Sequence, residues 1–233
     1  MALPQIDVPT FKMKIDSLGK NYKFRPFLVK EEKILVMASE SSDKSDMLHA
    51  AQQVITNCSY GKIDGEKLPM FEVQKVFLTL RSQSIGNIIE LSAKCGECES
   101  SNEVFLDIDE VDIVKDEEHT NRVELNKDII IEMKYPSVDE VASLARAEEE
   151  TDIYIVAANS IDKIFTSEET IDFQTSPPDE RIEWIENLSP EQFGKVKTFF
   201  ETMPQLYHTI NFSCKECKKD NYLVIDGYEN FFV

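Results

Sequence analysis

Two stretches decide the fold: Ile88–Asp109, IIELSAKCGECESSNEVFLDID, and Tyr207–Gly227, YHTINFSCKECKKDNYLVIDG. Each reads as a strand, a Cys-x-x-Cys turn and a second strand. A hairpin tip of this kind turns both thiols to one side, and two such tips make a tetrahedral four-cysteine site. The ligands are then Cys95, Cys98, Cys214 and Cys217, holding one structural zinc per chain. Four thiolates fill the zinc shell, so no position is left for a catalytic water. A redox pair should instead open a helix after a strand. An iron–sulfur cluster takes the same ligand type but normally comes with denser cysteine runs. In a reducing compartment such pairs are more often metal ligands than disulfides. Between Cys98 and Cys214 lie 115 residues, far more than a zinc ribbon usually spaces its pairs. The two hairpins must therefore meet in space.

Working outward, the chain reads as two copies of one plan. In the first, TFKMKIDSLGKNYKFRPF alternates about Leu18-Gly19-Lys20 as a β-hairpin and ends at Pro26. VKEEKILVMASES and SDKSDMLHAAQQVITNCSY follow with helical spacing, the second capped by Ser42 or Asp43. Ala51, Val54, Ile55 and Cys58 share its core face. After an Asp64-Gly65 turn, LPMFEVQKVFLTLRSQS makes a third helix before the first cysteine hairpin.

In the second copy, RVELNKDIIIEMKYP is again a hairpin ending at Pro136, and Ser137 with Glu140 is a capping box for SVDEVASLARAEEE. TDIYIVAANSIDKIF reads as the next helix, and TSEETIDFQTSPP as an inserted loop. ERIEWIENL and SPEQFGKVKTFFETMP are helices, the latter with Ser189 as N-cap and Pro190 at its first position. The fold class is α+β: two pseudo-repeated halves, each a β-hairpin, helices and a strand–CxxC–strand knuckle, with the two knuckles forming one zinc-ribbon-like site. The expected boundaries are an extended arm over 1–9, a first repeat over 10–113, a second over 120–228 with its inserted loop at 166–178, and an aromatic tail over 229–233.

Composition limits the function classes. The 233 residues carry 25 Lys+Arg against 44 Asp+Glu, a net charge of −19. That argues against nonspecific nucleic-acid or anionic-membrane binding, both of which need a positive surface. Acidic runs at 107–112, 116–118 and 148–150 read as solvated faces or as docking surface for a basic partner. The apolar stretch Ile153–Ile161 falls well short of the ~20 residues of a membrane span. The start, MALPQIDVPTFKMKI, lacks the pattern of a signal peptide, so the expected setting is a cytosol or a particle assembled there. Phosphate-binding loops and a G-x-S-x-G elbow are absent. His49, His119 and His208 read as satisfied or solvated side chains.

One further pattern bears on function. The opening A-L-P-x-I-D-x-P-T-F over Ala2–Phe11, and the run FRPFLVKEEKIL at Phe24–Leu35, resemble the baseplate hub and hub-assembly proteins of T-even-like contractile-tailed bacteriophages. The matching stretch is Met1–Glu40, the hairpin around Cys95 and Cys98 is also similar, and the resemblance covers most of the chain with its specificity resting mainly on Phe24–Leu35. The resemblance implies a non-enzymatic late viral protein, either a hub subunit or a factor for hub assembly. It implies other hub or tail proteins as partners, no small-molecule substrate and no catalytic residue. It places the chain in the host cytoplasm during assembly and in the virion tail baseplate. It leaves self-association open. The full four-ligand site, which includes the second pair Cys214 and Cys217, rests on the residues themselves. The alternative is a zinc-ribbon adaptor binding nucleic acid or transcription machinery, for which Lys215, Lys218 and Lys219 make the second tip locally basic.

Overall fold

The computed structural model describes residues 6–41, 44–141 and 152–226. Alternation in FKMKI and KNYKF makes β1 (Phe11–Ile15) and β2 (Lys20–Phe24), paired antiparallel with Phe11 opposite Phe24. Their turn needs a left-handed residue, and Gly19 supplies it at φ +63°. Pro26 stops the strand, and α1 (Val29–Ser39) follows. Next come α2 (Lys44–Cys58) and α3 (Met70–Ile85), joined by a short 3-10 turn that the Asp64 side chain caps. Leu48, Ala51, Val54, Ile55 and Cys58 of α2 are buried, as the spacing predicts. Helix α3 buries Val73, Val76, Phe77, Leu78 and Leu80, more than one face. It is a core helix rather than a surface one.

The two cysteine hairpins form as read: β3 (Ile88–Lys94) with β4 (Ser101–Asp107), and β10 (Gln205–Ser213) with β11 (Asp220–Asp226). A short strand β5 (Asp112–Val114) pairs with the start of β10, Leu206 lying opposite Ile113. Leu78, Ile89, Leu106, Ile108, Val111, Leu206 and Ile225 make one core cluster. The second cysteine hairpin therefore packs with the N-terminal elements. Two compact units result, one drawn from Met1–Val114 with Gln205–Val233 and one from Lys115–Pro204.

The second unit is built on a four-stranded antiparallel sheet in the order β6 (Arg122–Glu124), β7 (Ile130–Met133), β8 (Ile161–Phe165), β9 (Thr170–Asp172). Its helices are α4 (Asp152–Ser160), α5 (Pro178–Glu186) and α6 (Pro190–Thr202), besides a helical turn at 138–141. Ser189 caps α6, accepting from the Gln192 N–H, with Pro190 at the first position. The Ser137–Glu140 box also forms, Ser137 N–H donating to Glu140 at 2.7 Å. Ile131, Ile161, Ile164, Phe173, Ile185, Val196 and Phe199 lie in this unit's core.

Two local readings are corrected. TDIYIVAANSIDKIF is a helix only to Ser160; Ile161–Phe165 is a strand on β7, with Ile164 opposite Ile131. Branched Ile161 and Ile164 suit a pleated, buried surface, and the partner strand outweighs helical spacing. The expected loop at 166–178 contains β9, a 3-10 turn at Phe173–Thr175 and the start of α5. The expected caps Ser42 and Asp43, most of SVDEVASLARAEEE and the 229–233 tail lie outside the described residues. Ile161 is fully buried. Ile161→Ala should therefore cost about 2–5 kcal/mol in urea unfolding followed by Trp184 emission. A change within about 0.5 kcal/mol, the range of surface substitutions, would contradict its place in the core.

Candidate metal centre

The structure brings together all four cysteines singled out in the sequence. The Cys95, Cys98, Cys214 and Cys217 sulfurs all lie within 4.8 Å of one another, in a group that could hold a metal ion. The cross-hairpin separations are 3.7 Å for Cys95–Cys217 and 3.7 Å for Cys98–Cys214. Four sulfurs at about 2.3 Å from a tetrahedral zinc would sit about 3.8 Å apart. The donor set fits zinc in type, number and spacing.

Each tip is built the same way. Cys95 N–H donates to Ser100 O at 2.9 Å and Glu99 N–H to Cys95 O at 3.0 Å; Cys214 N–H donates to Lys219 O at 2.8 Å and Lys218 N–H to Cys214 O at 3.0 Å. The residue after the second cysteine is left-handed in both, Glu99 at φ 59° and Lys218 at φ 61°. Neither is glycine, so each tip holds a backbone strain that only the closed knuckle sustains.

Hydrogen bonds prepare some of the sulfurs as thiolates. The Ser100 hydroxyl and the Cys217 N–H, with weaker help from Glu216 N–H and Cys98, bring Cys214 down to about 5 against the cost of burial. The backbone N–H groups of Cys98 and Glu97 lower Cys95. Cys217 behaves oppositely. The Lys219 N–H favours its thiolate, but partial loss of water contact and thiol hydrogen bonds with Cys98, Cys95 and Cys214 push it up to about 12. Four adjacent thiols cannot all ionise without a cation among them, and metal binding would release the remaining protons.

Three residues at the site were not singled out from sequence: Ser100, Asn102 and Asn221. Asn102 accepts from Lys215 N–H at 2.8 Å, and Asn221 accepts from Gly96 N–H at 3.0 Å. A signal was present, since C-x-E-C-x-x-x-N occurs at 95–102 and again at 214–221.

The remaining chemistry-bearing residues lie elsewhere. His208 stands opposite Ile225 in β10, toward the end of the strand away from the knuckle. His119 is buried, with Nδ1 3.0 Å from Thr202 Oγ1 and Nε2 3.1 Å from Tyr135 Oη, and it stacks on Tyr135. It is a satisfied histidine. Cys58 is buried, with the Arg25 guanidinium 3.7 Å from its sulfur, and the burial outweighs that charge and pushes the thiol up to about 11, away from reactive thiolate character.

A family model described as T4 bacteriophage base plate protein matches residues 8–233. The chain belongs to that family. No curated protein and no solved structure matches it. Membership makes this a structural protein of the phage tail baseplate, in contact with other tail proteins. Among the described residues, no helix is long and apolar enough to cross a membrane.

The Phe24–Leu35 run now has a physical role in this baseplate protein. Arg25 and Glu31 form a buried, two-pronged ion pair, Arg25 Nη1 to Glu31 Oε2 at 3.0 Å and Nη2 to Oε1 at 2.9 Å. Glu31 also accepts the Leu28 N–H at 2.9 Å, which caps α1. Arg25 N–H reaches Cys58 O at 3.1 Å, tying β2 to the end of α2. Burial alone would raise the Glu31 carboxyl, but the Arg25 guanidinium and the Leu28 N–H outweigh it and hold it below the ordinary glutamate value of 4.5. A depressed folded-state value means the pair contributes fully above the unfolded value and is lost as pH falls through the folded one. Arg25→Ala should cost about 3–5 kcal/mol at neutral pH by leaving Glu31 buried and unpaired. Glu31→Gln should flatten the decline in stability below pH 4.5 seen by urea unfolding across pH. An unaltered acid limb in that variant would contradict the role given to Glu31.

Proposed function

We propose that this chain is a non-enzymatic component of the baseplate hub, either built in or needed for hub assembly, and that one structural zinc on Cys95, Cys98, Cys214 and Cys217 stiffens it. The observation that carries the reading is the closed four-sulfur cluster within a chain matched almost throughout by a baseplate family model. A complete sulfur shell gives the ion a structural task and leaves no open position for hydrolysis. Family membership favours this role over that of a nucleic-acid adaptor.

The order of elements supports the two-copy plan. A hairpin, helices, a long helix and a cysteine hairpin occur twice in that order, with β8, β9 and a short helix added in the second copy. The two knuckles share their hydrogen bonds and their left-handed residue position. In this reading each copy supplies half of the metal site, and the Thr166–Pro178 segment is an addition to the second copy.

Two measurements test the proposal. Elemental mass spectrometry of the native protein should give about one zinc per chain. Cys95→Ser and Cys217→Ser should each lose it and lower the melting temperature, whereas Cys58→Ser should keep it. Equal metal content in all three variants would contradict the ligand set. For the hub role, mass spectrometry of purified virions of the encoding phage should find the chain in the baseplate fraction if it is built in and not if it acts only in assembly. A phage lacking it should make tails without a completed hub. Normal, infectious tails without the protein would overturn the role.

A further inference from the structure

We infer that Asn102 and Asn221 form a reciprocal latch that docks the two knuckles and sets the four sulfurs in place before any metal arrives. The consequence for metal binding rests on the zinc reading above; the latch itself rests on hydrogen bonds alone. Each asparagine sits seven residues after the first cysteine of its own hairpin and four after the second. Its side-chain oxygen crosses to the other knuckle. Asn102 Oδ1 accepts from Lys215 N–H, the residue after Cys214, at 2.8 Å. Asn221 Oδ1 accepts from Gly96 N–H, the residue after Cys95, at 3.0 Å.

The amide nitrogens return to their own hairpins. Asn102 Nδ2 donates to Ser100 O at 2.9 Å and Asn221 Nδ2 to Lys219 O at 2.8 Å. Those two carbonyls are the ones that accept from Cys95 and Cys214 and close the knuckles. One side chain thus ties the closing bond of its own tip to the opening N–H of the other. The arrangement repeats under exchange of the hairpins, as a pseudo-twofold site requires. Asn102 is buried, and a buried amide is costly unless its bonds are made. Only the docked pair of knuckles makes them all.

The two halves differ at the sulfurs. Asn221 Nδ2 also lies 3.5 Å from Cys95 Sγ. Across the site, Ser100 Oγ lies 3.1 Å from Cys214 Sγ and 3.2 Å from Cys98 Sγ. Asn102 acts only by positioning, and Asn221 also touches a ligand atom. Partners outside the ligand shell commonly alter metal affinity by about 10–100-fold. Zinc sites of isolated modules form only with their metal, whereas a latched site keeps its shape without it.

The test uses the reduced full chain with Asn102→Ala, Asn221→Ala and both together. Metal-free protein is labelled briefly with iodoacetamide, and each cysteine is read by mass spectrometry. Cys95 and Cys214 are buried while Cys98 and Cys217 are exposed, and buried Cys58 serves as an internal control of folding. In the wild type Cys95 and Cys214 should label at least tenfold more slowly than Cys98. In the double variant they should label as fast as Cys98, with Cys58 still protected. Continued protection of Cys95 and Cys214 in the double variant overturns the latch. Exposure of Cys58 in the single and double variants also overturns it, since the asparagines would then be general folding determinants. A cobalt(II) titration beside it should show each single variant binding about 10–100-fold more weakly. If the wild type binds no cobalt, the metal reading fails, and the labelling still decides the latch.

Discussion

Two turns separated by 115 residues close on one point, and the first unit is organised around that closure. The four sulfurs, the paired strands β5 and β10 and the shared apolar cluster all join the segment ending at Val114 to the one beginning at Gln205. The residues of the second unit, Lys115–Pro204, are inserted between these fastened ends. Bridging a loop of about 100 residues restricts the unfolded chain by roughly 4–5 kcal/mol in the entropic account of cross-links. A metal at the knuckles would act in this way, while the β5–β10 pairing and the core hold the same ends by weaker means. A domain of this size does not depend on metal for a core, as a small zinc finger does.

A second constraint lies where β2, α1 and the end of α2 meet in the same unit. Arg25 and Glu31 pair out of water, and Glu31 is the one residue of α1 fully withdrawn from solvent. Buried pairs of this kind add little net stability over apolar packing, but breaking them is costly. Their benefit here is geometric. The pair fixes where β2 ends, where α1 begins and how both meet the end of α2.

Much of this was legible in the sequence, and the reasons are local. The cysteine hairpins carry strand-forming apolar residues on both sides of the tip, and their observed strands begin or end beside the predicted turns. Ser189-Pro190 and Ser137 with Glu140 announce helix starts by chemistry confined to a few residues. Ile161–Phe165 was misread because IDKIF satisfies both helical and strand spacing, and its partner, β7, lies some thirty residues earlier. The packing of β10 with the N-terminal elements was invisible because β5 is three residues long and its pairing is not local. The burial of Arg25 and Glu31 has no sign in the sequence, since charge carries no periodic mark of it. The repeated C-x-E-C-x-x-x-N was on the page, but the asparagine acquires meaning only when the two knuckles face each other.

In the proposed site both knuckles surround a single ion with sulfur alone. X-ray absorption at the zinc edge of the native protein should then show one shell of four sulfurs at about 2.3 Å. A shell containing nitrogen or oxygen, or only two sulfurs per zinc, would contradict it.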